Sequence, residues 1–168
     1  MNVLSGETVI VFDSQEMNEL LQRGFGEKKE KQLYLSLFEA LYLIEKGKFS
    51  VEDSKGAGLS EADLIKTGSK DKNFLNKLIV YRDLRERGFV VKTGLKFGFD
   101  FRVYPRGKKP GQAHTQWVIN VKGQEKNFSW NEFARMVRMS LTLRTKLLQA
   151  VVDSDKDVSY FEFTRVTP

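Results

Sequence analysis

Two hydrophobic periods divide this chain. Short β-branched runs and apolar–polar alternations predict strands at Thr8–Phe12, Phe49–Glu52, Phe89–Lys92, Phe99–Tyr104, Gln116–Val121, Leu147–Asp153 and Val158–Val166. Apolar residues recurring every three or four positions predict helices. Gln15–Gly24 carries Met17, Leu20 and Leu21 on one face, and Leu33–Gly47, apolar at 34, 37, 38, 41 and 44, reads as one buried helix stopped by Gly47. Ser60, with Asp63 three residues on, opens another in a capping-box pattern; Asn73–Gly88 is amphipathic with a basic end and a glycine stop; Ser129, with Glu132, caps a helix running to about Leu143. The charged run Glu27–Lys31 reads as a solvated loop or the approach to a helix. The mixture predicts an α+β protein of two small lobes. The polar stretch Thr67–Lys72 is the expected linker, which divides the chain into residues 1–70 and 71–168.

The rest of the chain is organised around the segment from Lys92 to Gly107, which is aromatic, basic and punctuated by glycine. From Phe99 it alternates as a half-buried strand and ends on Tyr104. Pro105, Gly107 and Gly111 then force a turn-rich loop that carries Lys108, Lys109 and the sole histidine, His114. A tyrosine at a strand end, with a histidine on the basic loop beyond it, is a place for proton transfer. The ordinary reading of each is an interface or core aromatic and a solvated loop residue.

Composition narrows the chemistry. The 168 residues are 40% hydrophobic, enough for a packed core, and carry a net charge of +6, which favours a polyanionic partner such as nucleic acid. There is no cysteine, so disulfides, thiolate nucleophiles and Cys-based zinc sites are excluded. One histidine and unclustered carboxylates argue against any metal site, and no cofactor is expected. Gly56 and Gly58 lack the following Gly-Lys-Ser/Thr of a phosphate loop, and no Gly-x-Ser-x-Gly elbow occurs. No apolar run approaches the roughly 20 residues of a membrane span, and Met1–Gly6 does not read as a signal peptide, so a soluble cytoplasmic protein is expected. What remains is acid–base chemistry by Tyr104, His114 and a lysine. RNA cleavage fits it, because RNA brings its own nucleophile, the 2′-hydroxyl. From the residues alone, an RNA-binding and an RNA-cleaving protein both stand.

The run Val80-Tyr81-Arg82-Asp83-Leu84-Arg85-Glu86-Arg87-Gly88-Phe89-Val90-Val91-Lys92-Thr93-Gly94-Leu95-Lys96-Phe97-Gly98-Phe99-Asp100-Phe101-Arg102-Val103-Tyr104 closely resembles the archaeal tRNA-splicing endonuclease family. Thr8–Asp13 and Leu35–Gly47 are similar to its N-terminal lobe, and Leu147–Phe163 to its C-terminal strands. The resemblance implies a restriction-endonuclease-like C-terminal nuclease lobe and a metal-independent endoribonuclease. Such an enzyme excises introns from precursor tRNA at bulge-helix-bulge structures and leaves 2′,3′-cyclic phosphate and 5′-hydroxyl ends. It further implies Tyr104 as general base and His114 as general acid. The family's third member is the first lysine of an Arg-Lys-Lys run. Here the run is Arg144-Thr145-Lys146, so Thr145 falls on that position and Lys146 one place later. Lys146 is expected to supply the cation, delivered by a bulge or a one-residue shift; the alternatives are a cation from elsewhere in the chain or a weakened activity.

The resemblance also implies arginines that hold flipped bulge bases, with Arg138 at one such position and Arg165 taken as its partner. The acidic turn with Asp153, Asp155 and Asp157 is similar to the loop that docks on an opposing subunit. Tyr160, Phe161 and Phe163 resemble a tail-to-tail dimer strand. The uninterrupted Tyr104–His114 segment and the single-copy length favour a homotetramer, a dimer of dimers. The competing expectations are a non-catalytic structural subunit of a heteromeric enzyme and a general RNA-binding protein.

Overall fold

A computed structural model describes residues 1–47 and 49–168, and the chain divides into two compact units, Met1–Leu75 and Asn76–Pro168. The division falls a few residues beyond the expected linker, whose first residues, Thr67 and Gly68, belong to the preceding helix. The architecture is α+β, with a mixed sheet and helices in each unit. No helix among the described residues is long and apolar enough to cross a membrane.

The N-terminal unit comprises β1 (Asn2–Ser5), β2 (Thr8–Val11), α1 (Ser14–Gln22), β3 (Glu27–Lys29), β4 (Gln32–Ser36), α2 (Leu37–Glu45), β5 (Val51–Glu52), β6 (Gly58–Leu59) and α3 (Glu61–Gly68). Among the described residues its strands form a six-stranded sheet in the order β3-β4-β2-β1-β5-β6. Two expectations are corrected here. The stretch from Leu33 is not one helix: Gln32–Ser36 pairs with β2, placing Leu33 opposite Val11 and Leu35 opposite Val9, all four fully buried. The apolar residues at 33, 35 and 37 also satisfy a period of two, and burial against β2 decided between the two readings. The charged run is likewise an edge strand, Glu27–Lys29, whose exposed glutamate and lysines discourage further pairing. β1 was not legible, since four residues show too little alternation.

Ser36 is where strand becomes helix. Its hydroxyl accepts from the Glu39 N–H, and the Glu39 carboxylate accepts from the Ser36 N–H at 2.8 Å and from the Gly26 N–H at 2.8 Å. One buried carboxylate therefore caps α2 and anchors the loop before β3. Ser60 and Asp63 form the expected second capping box.

The C-terminal unit takes in most of α4 (Phe74–Glu86), then β7 (Val90–Thr93), a single 3-10 turn (Leu95–Phe97), β8 (Phe101–Tyr104), β9 (Trp117–Gly123), α5 (Trp130–Thr142), β10 (Lys146–Val152) and β11 (Val158–Phe163). Its five-stranded sheet has the order β11-β10-β9-β8-β7. Neighbours are antiparallel except β9 and β10, which run parallel and are joined through α5. α5 packs one face of the sheet through Met136 and Val137 against Phe99, Val118 and Leu147, with Phe133, Leu143 and Phe163 around them. On the other face, Tyr81 of α4 meets Phe101 with ring centroids 5.9 Å apart. Glycine is required at position 94, where a Cβ would lie 2.9 Å from the Phe99 carbonyl oxygen as the chain folds back.

Glu39→Ala removes the acceptor for two backbone N–H groups at once. It is expected to lower stability by about 2 kcal/mol, read as a fall in the urea midpoint with an unchanged slope.

Candidate active site

Alternation along β8 puts Arg102 and Tyr104 on one face of the sheet, the face covered by α5, and Val103 on the other. Tyr104 is buried at the end of the strand, and Arg102 Nη1 stands 3.5 Å from its hydroxyl. Arg102 is held from two sides: its Nε donates to the Thr93 carbonyl at 3.0 Å, and its guanidinium lies 5.7 Å from the centre of the Phe97 ring. Lys92, also buried, is directly across the ladder from Arg102.

His114 is exposed on the loop that leaves Tyr104. That loop is closed by the Gln116 N–H donating to the Val103 carbonyl at 2.7 Å, just before Trp117 pairs with Val103. The tyrosine and the histidine thus stand at the two ends of a loop anchored at one end of the β8–β9 ladder. Further turns hold it, with the Lys108 N–H donating to the Pro105 carbonyl and the Gln112 N–H to that of Lys109. Arg106 covers the Phe89 ring at 5.0 Å.

Lys146 is not brought to Tyr104. The β9–β10 ladder runs without a bulge from Lys146 opposite Trp117 to Val152 opposite Gly123. Val103, Trp117 and Lys146 therefore share one row on the α4 face, and Tyr104 lies on the other face. On that face Lys146 Nζ pairs with Glu162 Oε1 at 2.9 Å, while Trp117 Nε1 donates to Glu162 Oε2 at 2.8 Å. The Trp117 hydrogen bond and Lys146 hold the Glu162 carboxyl below the usual carboxylate range. Thr145, just ahead of the strand, is buried, its N–H donates to the Ser140 carbonyl, and its Oγ1 has no hydrogen-bond partner. The expected one-residue shift is absent, and the cation beside Tyr104 is Arg102. Its i, i+2 relation to Tyr104 on a strand was the signal for it.

The other singled-out residues separate by environment. Arg138 is exposed on α5, and Arg165 is exposed beyond β11. Asp153 organises its own turn, its Oδ1 accepting from the N–H groups of Asp155 at 2.9 Å and Asp157 at 3.0 Å, so that Asp155 and Asp157 are the exposed acids at the tip. The aromatic strand does not present a single surface. Tyr160 donates its hydroxyl to Asp83 Oδ2 at 2.6 Å, under the Arg87 guanidinium at 5.8 Å. Phe163 packs edge-on to Phe133 at 4.5 Å, and Phe161 is 51% exposed. No group of three or more His, Cys, Asp or Glu among the described residues could hold a metal ion.

A basic α+β protein with a tyrosine–histidine pair at one end of a covered sheet is the class so far. Comparison with known proteins gives the family. Residues 1–65 match the model of the tRNA intron endonuclease N-terminal domain, and residues 74–160 that of the tRNA intron endonuclease catalytic C-terminal domain. The chain is 41% identical over 161 residues to the tRNA-splicing endonuclease of Thermococcus kodakarensis, covering 95% of this chain and 94% of the relative. It is 43% identical over 161 residues to that of Thermococcus onnurineus (95% and 92%), and 35% identical over 144 residues to that of Methanothermobacter thermautotrophicus (86% and 84%). The chain belongs to the tRNA intron endonuclease family.

Burial, and the bond to Asp83, push the Tyr160 phenol well above its ordinary range. A raised value means the folded state holds the proton more tightly. The stability this contact contributes is therefore complete below about pH 10, the ordinary phenol value, and is lost as the pH rises beyond it. Tyr160→Phe is expected to cost about 1–3 kcal/mol at neutral pH and to flatten this alkaline loss, measured by urea unfolding at pH 7 and in the alkaline range.

Proposed function

We infer that this protein is the catalytic subunit of a tRNA-intron endonuclease. It cleaves precursor tRNA at bulge-helix-bulge structures and leaves 2′,3′-cyclic phosphate and 5′-hydroxyl ends. The observation that carries the reading is the match to both family domains along almost the whole chain, in a protein that retains Tyr104 and His114 at the ends of one anchored loop. The five-stranded mixed sheet between α4 and α5 supports a restriction-endonuclease-like nuclease lobe in the C-terminal part, with the N-terminal lobe structural.

In this reading the RNA supplies the nucleophile. Tyr104 takes the proton from the 2′-hydroxyl as that oxygen bonds to the adjacent phosphorus. The bond from phosphorus to the 5′-oxygen breaks, and His114 gives that oxygen a proton. Negative charge accumulates on the phosphoryl oxygens between these events, and a fixed cation lowers its energy. Arg102, 3.5 Å from the Tyr104 hydroxyl, takes that part, since Thr145 is neutral and Lys146 is engaged with Glu162. The steps call on no metal and no cofactor.

Assembly as a homotetramer, a dimer of dimers, is the accompanying proposal. The exposed Asp155 and Asp157 suit a basic groove on another copy, and the exposed Phe161 suits an apolar contact between last strands. Arg138 and Arg165, both exposed, are proposed to hold bulge bases between flat guanidinium groups. A cytoplasmic location accompanies this reading.

Thr145 in place of a cation favours a second reading, a structural subunit that depends on a catalytic partner. The purified chain alone, in EDTA, with a bulge-helix-bulge precursor tRNA, separates the two. Two cuts with cyclic-phosphate ends are expected. Tyr104→Phe and His114→Ala each slow cleavage roughly 10²–10⁴-fold, Arg102→Ala roughly 10²-fold or more, and Lys146→Ala only a few-fold. Failure of the parent protein to cut without a partner selects the structural subunit. Loss of activity in Lys146→Ala with Arg102→Ala unaffected returns the cation to Lys146.

A further inference from the structure

Beside the catalytic face, the turn Leu95–Phe97 and α5 enclose a cleft of about 340 Å³. Its walls are Phe97 on the turn and Met136 and Met139 on the helix, with Lys96 and Arg135 among its lining. Phe97 is 37% exposed and Met139 43%, so apolar surface that could have been buried is left open next to two cations. We propose that this cleft binds one unpaired nucleotide of the RNA substrate, its base against Phe97 and the two methionines and its phosphate against Lys96 and Arg135. The proposal rests on the endonuclease reading and adds to it a binding site for the substrate strand.

Four observations point to this occupant. The volume is near the lower end of ligand pockets, roughly 300–1,000 Å³, which suits a single nucleotide and excludes a duplex. An aromatic ring with a polarisable thioether wall accepts any base by its flat face, and flanking cations take the backbone charge. The cleft is preformed on both sides. The turn is closed by the Phe97 N–H donating to the Gly94 carbonyl and the Gly94 N–H to that of Asp100, and Asp100 is itself fixed by Lys77 at 3.0 Å and by the Val121 N–H at 2.7 Å. On the helix side, Met136 and its neighbour Val137 belong to the core under α5. Finally, Arg102 links the cleft to the chemistry, with its guanidinium 5.7 Å from the Phe97 ring and its Nη1 3.5 Å from the Tyr104 hydroxyl. A base seated on Phe97 is therefore one side chain away from the catalytic tyrosine. It would hold the adjoining backbone near that hydroxyl, as positioning requires.

The test is equilibrium binding of a bulge-helix-bulge RNA carrying 2′-deoxy residues at the two scissile positions, so that affinity is read without cleavage. Phe97→Ala is expected to weaken binding about tenfold, the scale of one lost base–aromatic stack, while Phe97→Trp keeps the parent affinity. Arg135→Gln is expected to reduce the slope of log K against log salt by about 0.7, the value for one single-strand phosphate contact. Abasic residues introduced one at a time through the bulges should then reveal a single position whose removal weakens the parent but not Phe97→Ala. A lost structural contact would not produce this non-additivity. The proposal is overturned if Phe97→Ala and Arg135→Gln both bind within twofold of the parent, or if every abasic penalty is the same in both proteins. It is also overturned if the only change is in oligomeric state by sedimentation, which would make the cleft an interface between copies. Cleavage of the all-ribose RNA by the parent is read in parallel. If the parent cuts and the variants bind normally, the cleft proposal fails alone; if the parent neither cuts nor prefers the bulged RNA, both readings fail.

Discussion

The register of three central strands decides what this protein can do chemically. Val103 pairs with Trp117 and Trp117 with Lys146, without a bulge on the β10 ladder. Because side chains alternate across a sheet, that one row sends Trp117 and Lys146 to the α4 face, where Glu162 binds both, and leaves Arg102 and Tyr104 on the α5 face. A shift of one residue would exchange the two sets. Val118 and Leu147 would then lose the core beneath α5, so the register is held by apolar burial far larger than any single ion pair.

The same constraint explains why positive charge gathers beside the tyrosine. Lys92 and Arg102 face each other across the β7–β8 ladder. Arg102 is held by the Thr93 carbonyl and the Phe97 ring, and the turn that carries Phe97 is fixed by backbone bonds around Gly94 and Asp100. The guanidinium beside the Tyr104 hydroxyl is thus fixed in place by the fold.

Last-strand aromatics have different environments. Tyr160 and Phe163 are spent inside the lobe, on Asp83 and on Phe133 respectively, and Phe161 is the large apolar side chain left facing outward. In the acidic turn, Asp153 is consumed by the hydrogen bonds that shape it, and Asp155 and Asp157 are carried at its tip. The resemblance groups these side chains; their hydrogen bonds and packing separate them.

Much of the fold was legible because local signals were unambiguous. Capping residues Ser60 and Ser129, the apolar spacing of Asn73–Gly88 and the alternation up to Tyr104 all act within a few residues of chain. Tyr104 and His114 were equally legible, as a strand end and the far side of a glycine-rich loop. Leu33–Ser36 was not, because its apolar residues fit either period and only pairing with Val9 and Val11 made it a strand. Which basic side chain stands beside Tyr104 was not legible for a similar reason. The sequence by itself determined that arginine and tyrosine lie two residues apart on one strand and that Thr145 precedes Lys146. Only the tertiary structure decided which of these share a face with Tyr104, because that depends on strand register, and register is set by the burial of residues distant in the chain.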